Sequence, residues 1–468
     1  MLFSSVTFLY YFLPIVLVLY FLTPTPKGSL RLRNLVLFLA SLVFYAWGEP
    51  IYVLLMVGQC ISAWAFSLLI DKFRGRPASR TAMIASVVVS LSALLFFKYA
   101  DFFVQNVSGL FRLEIGILGL ALPIGISFYT FQILSYTIDL YRGKIQVQRS
   151  LLNFSTYVAM FPQLIAGPIV RYADVAQGLS VREHTLGRFA LGARRFTLGL
   201  GKKVLIANVL GELVSIYKQS GENSLLFVWL YVVAYTLHIY FDFSGYSDMA
   251  IGLGHMLGFK FPENFNYPYI AKSITDFWRR WHMSLSSWFR DYIYIPLGGN
   301  RVTVPRHIFN ILVVWMLTGF WHGADWNFIF WGLYFAIFLI VEKFFLSRLL
   351  DRLPNFFNHV YVLLLVSVSW VFFDSSSFAE IGSALTRMFG FNVDSFAGVE
   401  SLYYLRSYLV PLVLGAIGCT PLPKLLAGKL SGKKAYTALE PLTVGVLLIV
   451  ITAYLVDGSF NPFIYFRF

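Results

Sequence analysis

Two cysteines in 468 residues leave no room for a disulfide framework. Cys60 and Cys419 both sit inside apolar runs, which argues against a cysteine metal site as well. Charge is also scarce. Asp, Glu, Lys and Arg make up 13% of the chain, against about 25% in a soluble domain, so the chain cannot cover a water-facing surface. Acidic residues are outnumbered, 23 to 37, for a formal net charge of +14. No phosphate-cradling P-loop, dinucleotide fingerprint or zinc spacing is present, and Gly252-Leu253-Gly254 is too short a match to count. The start, Met1-Leu2-Phe3-Ser4-Ser5, has no basic segment and no small-residue cleavage site near it, so residues 6–22 read as a retained span. No internal repeat and no soluble domain is visible, and a single membrane-embedded domain over 1–468 is expected.

What the chain does have is apolar sequence. Hydrophobic residues make up 58% of it, and the runs 6–22, 51–70, 82–97, 225–240 and 328–341 hold almost no charge. Crossing a bilayer takes about 20 mostly apolar residues, so the chain is a polytopic, all-α membrane protein. Its Lys and Arg gather in loops between the runs, which fits cytoplasmic loops under the positive-inside rule better than a nucleic-acid surface. Lys27, Arg31 and Arg33 then place the first loop inside and the N-terminus outside. The loops with Lys72 to Arg80 and Arg142 to Arg149 also fall inside, as does the one with Lys424, Lys429, Lys433 and Lys434, and the tail 460–468 falls outside.

Two stretches break this alternation. Residues 151–170 have basic flanks on both sides, with Arg171 through Lys202 and Lys203 following, and contain Pro162 and Gly167-Pro168. Proline interrupts a helix, and broken backbone at membrane depth must be buried in protein, so a re-entrant hairpin is expected. The second is 308–321, the polar knot 321–327, and the apolar run ending at Glu342 and Lys343. Basic flanks again predict a hairpin entered from the cytoplasm, with His322 at its tip. The total is about ten spans and two re-entrant hairpins.

Ionisable groups at membrane depth are costly and mark function by default. His322 can take a proton from a hydroxyl near neutral pH; a histidine bonded within a bundle would look the same. His282 is the second candidate, in Trp278-Arg279-Arg280-Trp281-His282-Met283-Ser284. The alternating Trp and Arg there fit either an interfacial anchor or a vestibule for an anionic, phosphate-bearing donor. Asp242 and Asp248 interrupt or end a long apolar helix and read as support for the site, while His238 reads as a local packing residue.

Several segments resemble bacterial membrane-bound O-acyltransferases of the alginate O-acetylation type. Phe277-Trp278-Arg279-Arg280-Trp281-His282-Met283-Ser284-Leu285-Ser286, with Trp288-Phe289-Arg290-Asp291-Tyr292 after it, is similar to their central motif. Gly319-Phe320-Trp321-His322-Gly323-Ala324 is similar to their catalytic histidine motif. Residues 122–129, 163–168, 240–254 and 460–466 extend the likeness along the chain. The resemblance implies a helical ring around a thin central funnel in a bacterial plasma membrane. It places His322 at the catalytic histidine and His282 at the second polar catalytic position. It further implies that Arg279, Arg280, Trp281 and Arg290 bind the donor, with Asp242, Asp248 and Trp321 in support. The donor would be cytoplasmic acetyl-CoA, with no tightly bound cofactor and no metal. The acceptor would be an extracytoplasmic hydroxyl, on a polysaccharide or on a secreted SGNH-type acetyltransferase.

Other functions stay open at this point. A D-alanyl transferase fed by a carrier protein shares the histidine motifs. A transporter would bind substrate or protons at the histidines but calls for an inverted repeat, and a non-catalytic scaffold would need neither histidine.

Overall fold

The computed structural model of the chain describes residues 1–165 and 167–458, with side chains outside 434–437. Helices account for its regular structure. Among the described residues no strand forms, and an isolated bridge joins Ser224 to Ser395. A chain this apolar, in a medium without water, satisfies its backbone donors and acceptors within helices. Among the described residues six helices are long and apolar enough to cross a membrane: Tyr52–Lys72, Pro77–Phe111, Leu225–Met256, Trp326–Leu350, Asn355–Asp374 and Ala438–Asp457. A seventh arises if Leu409–Gly418 and Leu422–Leu430, bent by 72° at their junction, count as one span. The sequence suggested about ten. The difference lies in apolar stretches that form shorter helices, such as Arg31–Ala46 and Ile126–Tyr141 at 16 residues each. In Ile126–Tyr141 nearly every side chain is buried, so protein rather than lipid covers it.

The chain forms two compact units, Met1–Phe196 with Met249–Pro262, and Thr197–Asp248 with Glu263–Phe468. In the first, the stretch expected to be re-entrant is broken into Leu151–Ala159 and Phe161–Leu164, with Met160 between them at φ −54°, ψ 114°. Residues 154–165 are buried throughout. Pro162 sits in the first turn of the second piece, where its missing N–H is harmless. Of the segments similar to known sequences, Ala166 and 460–466 lie outside the described residues. Gly252 belongs to a helix crossing: a Cβ there would stand 2.7 Å from the Gly192 carbonyl oxygen, so only glycine lets the two backbones touch.

The second unit holds the hairpin expected around His322. Helix Val304–His322 is followed after Gly323, Ala324 and Asp325 by helix Trp326–Val341. Their backbones pack at glycines: a Cβ on Gly319 would lie 2.2 Å from the Phe328 carbonyl oxygen, and one on Gly332 would lie 2.2 Å from that of Trp315. The Asp325 carboxylate accepts the Trp326 N–H at 2.6 Å and caps the second helix. Around this hairpin Trp278, Trp281, Trp331, Trp370, Phe277, Phe335 and Phe373 form a buried aromatic core. Rings of this size contribute much of the apolar burial a helical bundle relies on.

Candidate active site

The segment carrying His282 is a folded loop. Its short helix Ile274–Trp278 is capped twice at the N-terminus. Ser273 Oγ accepts the Asp276 N–H at 2.9 Å. The buried Glu342 carboxylate accepts the Ile274 N–H at 2.5 Å and the Thr275 N–H and hydroxyl at 3.0 Å. An acid at a helix N-terminus meets the positive end of the helix dipole, so Glu342 ties this loop to the hairpin. Arg280 Nε donates to Asp276 at 2.9 Å, and its Nη1 donates to the Asn266 carbonyl at 3.3 Å. Trp281 is buried, with ring centroids of Trp370 at 4.9 Å, Phe265 at 5.1 Å and Phe277 at 5.6 Å.

His282 follows with a left-handed backbone, φ 44°. A non-glycine residue there costs about 1–3 kcal/mol and is over-determined by its surroundings. The surroundings here are Asn264. Its Oδ1 accepts from the Ser284 N–H at 3.3 Å and the Ser284 hydroxyl at 2.9 Å, and its main-chain carbonyl accepts the Met283 N–H at 3.0 Å. Its Nδ2 donates to Ser247 Oγ at 3.2 Å. The same Oδ1 lies 3.1 Å from His282 Nδ1, and an amide oxygen only accepts, so Nδ1 carries the proton. In the neutral ring Nε2 then holds the lone pair. Nε2 is buried and has no hydrogen-bond partner among the described residues.

His322 ends its helix and is held by that helix. Its Nδ1 lies 2.7 Å from the Thr318 carbonyl oxygen, one turn back, which again assigns the proton to Nδ1. The ring is 3% exposed and is enclosed by Trp331 at 4.9 Å, Trp321 at 5.0 Å and Phe373 at 5.6 Å between centroids. Trp321 also contacts the His282 ring, at 6.1 Å. The two imidazoles therefore flank one indole, each with Nδ1 committed to a carbonyl-type oxygen. Electrostatic interactions gain strength in a water-poor, aromatic setting of this kind.

The same unit holds a cavity of about 750 Å³, within the usual range for ligand pockets of about 300–1,000 Å³; Thr318 lines it, and neither His282, His322 nor Trp321 does. Lys272, Arg290 and Lys343 give part of its wall basic character, the carboxylates Glu342 and Asp351 also line it, and Ile311, Val314 and Trp315 form an apolar part that reaches Thr318. This is the Thr318 whose carbonyl holds His322. Of the four residues expected to bind the donor, Arg290 lines this cavity, and also pairs with Asp291 at 2.9 Å. Arg279 is exposed, and neither it, Arg280 nor Trp281 is part of the cavity wall.

Asp242 is fully buried and pairs with Lys203, and Asp248 pairs with Lys202 at 2.7 Å. Both lysines were read as part of the basic flank that follows residues 151–170. Instead they open the wide helical turn Lys202–Asn208, and Lys203 is buried because Asp242 compensates its charge. Removing one member of such a pair typically costs about 3–5 kcal/mol. His238 Nδ1 meets the Ala207 carbonyl at 2.6 Å, the local packing role expected of it. Asn264, Glu342 and Lys343 were missed as site residues. Asn264 carries no charge and acts across eighteen positions, and Glu342 and Lys343 look like ordinary flanking charges.

Comparison with known proteins agrees with this picture. The profile of the membrane-bound O-acyltransferase family matches residues 144–374, which include both histidines. The chain is 39% identical to the probable alginate O-acetylase AlgI of Azotobacter vinelandii over the full length of both. It is 33% identical to the peptidoglycan O-acetyltransferase of Helicobacter pylori, over 84% of this chain and 80% of that one. A teichoic acid D-alanyltransferase of Bacillus subtilis matches at 32% identity over 47% of this chain and 59% of its own. With full-length identity at this level, the chain belongs to the membrane-bound O-acyltransferase family and is a multi-pass membrane acyltransferase.

Proposed function

We propose that this acyltransferase moves acetyl from cytoplasmic acetyl-CoA to an extracytoplasmic hydroxyl in the O-acetylation of an exopolysaccharide of the alginate type. The acceptor hydroxyl belongs to the polysaccharide or to a secreted SGNH-type acetyltransferase that relays the group. The observation that carries the reading is the pair of Nδ1-anchored imidazoles around Trp321, in the same unit as a cavity whose wall reaches Thr318. Full-length similarity to a probable alginate O-acetylase supports the acceptor class.

In this reading Arg290, with Lys343 and Lys272, holds the donor's phosphates at the basic part of the cavity, and the thioester lies toward Thr318. His322 Nε2 takes the proton of the acceptor hydroxyl as its oxygen attacks the thioester carbonyl. The tetrahedral intermediate collapses, the C–S bond breaks, and the imidazolium returns the proton to the departing thiolate. One thiol and one acetyl ester result, with no net proton change. His282, with its lone pair at Nε2, accepts a hydrogen bond from a second O–H group at the acceptor, such as a neighbouring hydroxyl or a bound water, and so helps orient the attacking hydroxyl, whose own proton goes to His322. Asp242 and Asp248 act at a distance, through their lysine pairs.

The test is release of CoA thiol from labelled acetyl-CoA by the protein in nanodiscs with the acceptor supplied, for wild type and His322→Ala. Release in the wild type that falls by about 10²–10⁴ in the variant, the range for loss of a general base, supports the reading. Equal release by both proteins removes His322 from the mechanism. The partial similarity to a teichoic acid D-alanyltransferase favours a second reading, with the donor acyl group on a carrier protein. Transfer from an acyl-carrier thioester, with none from acetyl-CoA, would select it.

A further inference from the structure

A second cluster of cationic groups lies in the first unit. Tyr20 comes from helix Leu13–Leu22, Arg33 from Arg31–Ala46 and Arg188 from Leu186–Gly201, while Arg182 and His184 precede that last helix. The hydrogen bonds run in one direction. The Tyr20 hydroxyl donates to the Leu257 carbonyl at 3.1 Å and lies 2.9 Å from His184 Nε2, from which it accepts. His184 Nδ1 is then free to accept from Arg33 Nη1 at 3.4 Å. A ring with one donor and one acceptor nitrogen is neutral. Burial, with Arg33 and Arg182 alongside, agrees with this by pushing the His184 pKa down to about 4.

Among the described residues the three guanidiniums have no counter-charge. Arg33 Nε donates to the Thr23 carbonyl at 3.3 Å. Arg188 donates to the carbonyls of Glu183 at 3.4 Å and Gly258 at 3.5 Å. Arg182 donates to Asn34 Oδ1, and its Cζ lies 4.5 Å from the Phe259 ring centroid and 5.5 Å from that of Tyr20. Arg182 is 8% exposed, and its Nε and Nη1 have no hydrogen-bond partner among the described residues. Among the described residues no carboxylate pairs with any of the three. Ring faces and carbonyl dipoles soften such charges, but buried charges are normally paired.

An anion from outside the chain completes the balance. A guanidinium fork matches phosphate oxygens in pairs. Of the five N–H groups each carries, Arg33 and Arg188 use only two in the bonds above, so both retain donors for a ligand. The rim of the cluster is apolar and open: Leu22 is 77% exposed, Val181 66% and Leu186 90%. Lys27 and Arg31 add positive charge nearby in sequence. Basic residues at a membrane surface attract anionic lipids. We infer that Arg33, Arg182 and Arg188 bind the phosphate of an anionic phospholipid whose chains lie along Leu22, Val181 and Leu186.

The test is the thermal unfolding midpoint of the full-length protein in detergent with phosphatidylglycerol, phosphatidylcholine or inorganic phosphate added. Wild type and the exposed control pair Arg76→Gln/Arg80→Gln should gain more from phosphatidylglycerol than from phosphatidylcholine, since a ligand of the folded state raises its midpoint. In Arg33→Gln/Arg188→Gln that difference should fall by at least half. Because two lipids are compared on one variant, a general loss of stability cancels. An undiminished difference in that variant overturns the site. A wild-type shift reproduced by inorganic phosphate overturns the lipid as its source.

Discussion

The two imidazoles of the candidate active site reach the same indole by opposite routes. His322 ends a regular helix and is held by the carbonyl one turn behind it. His282 sits in a loop with left-handed backbone and is held by an amide eighteen positions away. The first geometry is local and robust: while the helix forms, the ring stays. The second is assembled from distant parts, so it can be lost while the histidine itself remains. Placement by a regular element and placement by a network thus coexist within one site, and they should respond differently to substitution.

The largest effect is expected for His322→Ala, the loss of about 10²–10⁴ in transfer rate already set against thiol release. Next is Asn264→Ala, which leaves both histidines in the chain but frees the His282 ring. Misplacing a reacting group by about 1 Å costs about 10² in rate, and a fall of that order in single-turnover transfer is expected. Asn264→Asp sharpens the point. A carboxylate beside Nδ1 favours the charged imidazole, so more base is needed to regenerate the neutral ring. The acid limb of the pH–rate profile should move to higher pH, with activity recovering above it. Thr318→Val should have the smallest effect. Its backbone carbonyl holds His322, while its hydroxyl donates only to the Val314 carbonyl, at 2.8 Å. A loss as large as that of Asn264→Ala would break the comparison, since the hairpin ring would then also depend on side-chain support.

The same contrast explains what was legible in the sequence. Helical membrane character follows from long apolar runs, and the hairpin at His322 was foreshadowed by a short helix, a polar knot and basic flanks. Each of those signals is local. Span number is less legible, because a 16-residue apolar helix such as Ile126–Tyr141 is covered by protein and falls short of the length that marks a span by composition alone. Charges were misread wherever their partner was remote. Lys203 resembles its basic neighbours until Asp242 is brought against it, and Glu342 resembles a helix-end charge until it caps Ile274–Trp278. Arg280 was expected at the donor, and the structure shows it paired with Asp276, four positions earlier. Asn264 gave no signal, since nothing in an uncharged amide predicts which imidazole it will meet.

The central claim is that His322 and His282 act together on one hydroxyl. The most direct measurement is the single-turnover acetyl-transfer rate of His322→Ala, His282→Ala and the double variant, each shown to be inserted and folded. Residues that act as a unit are non-additive, so the double variant should be about as slow as His322→Ala alone. Losses that multiply, or a His282→Ala protein as fast as wild type, would contradict it.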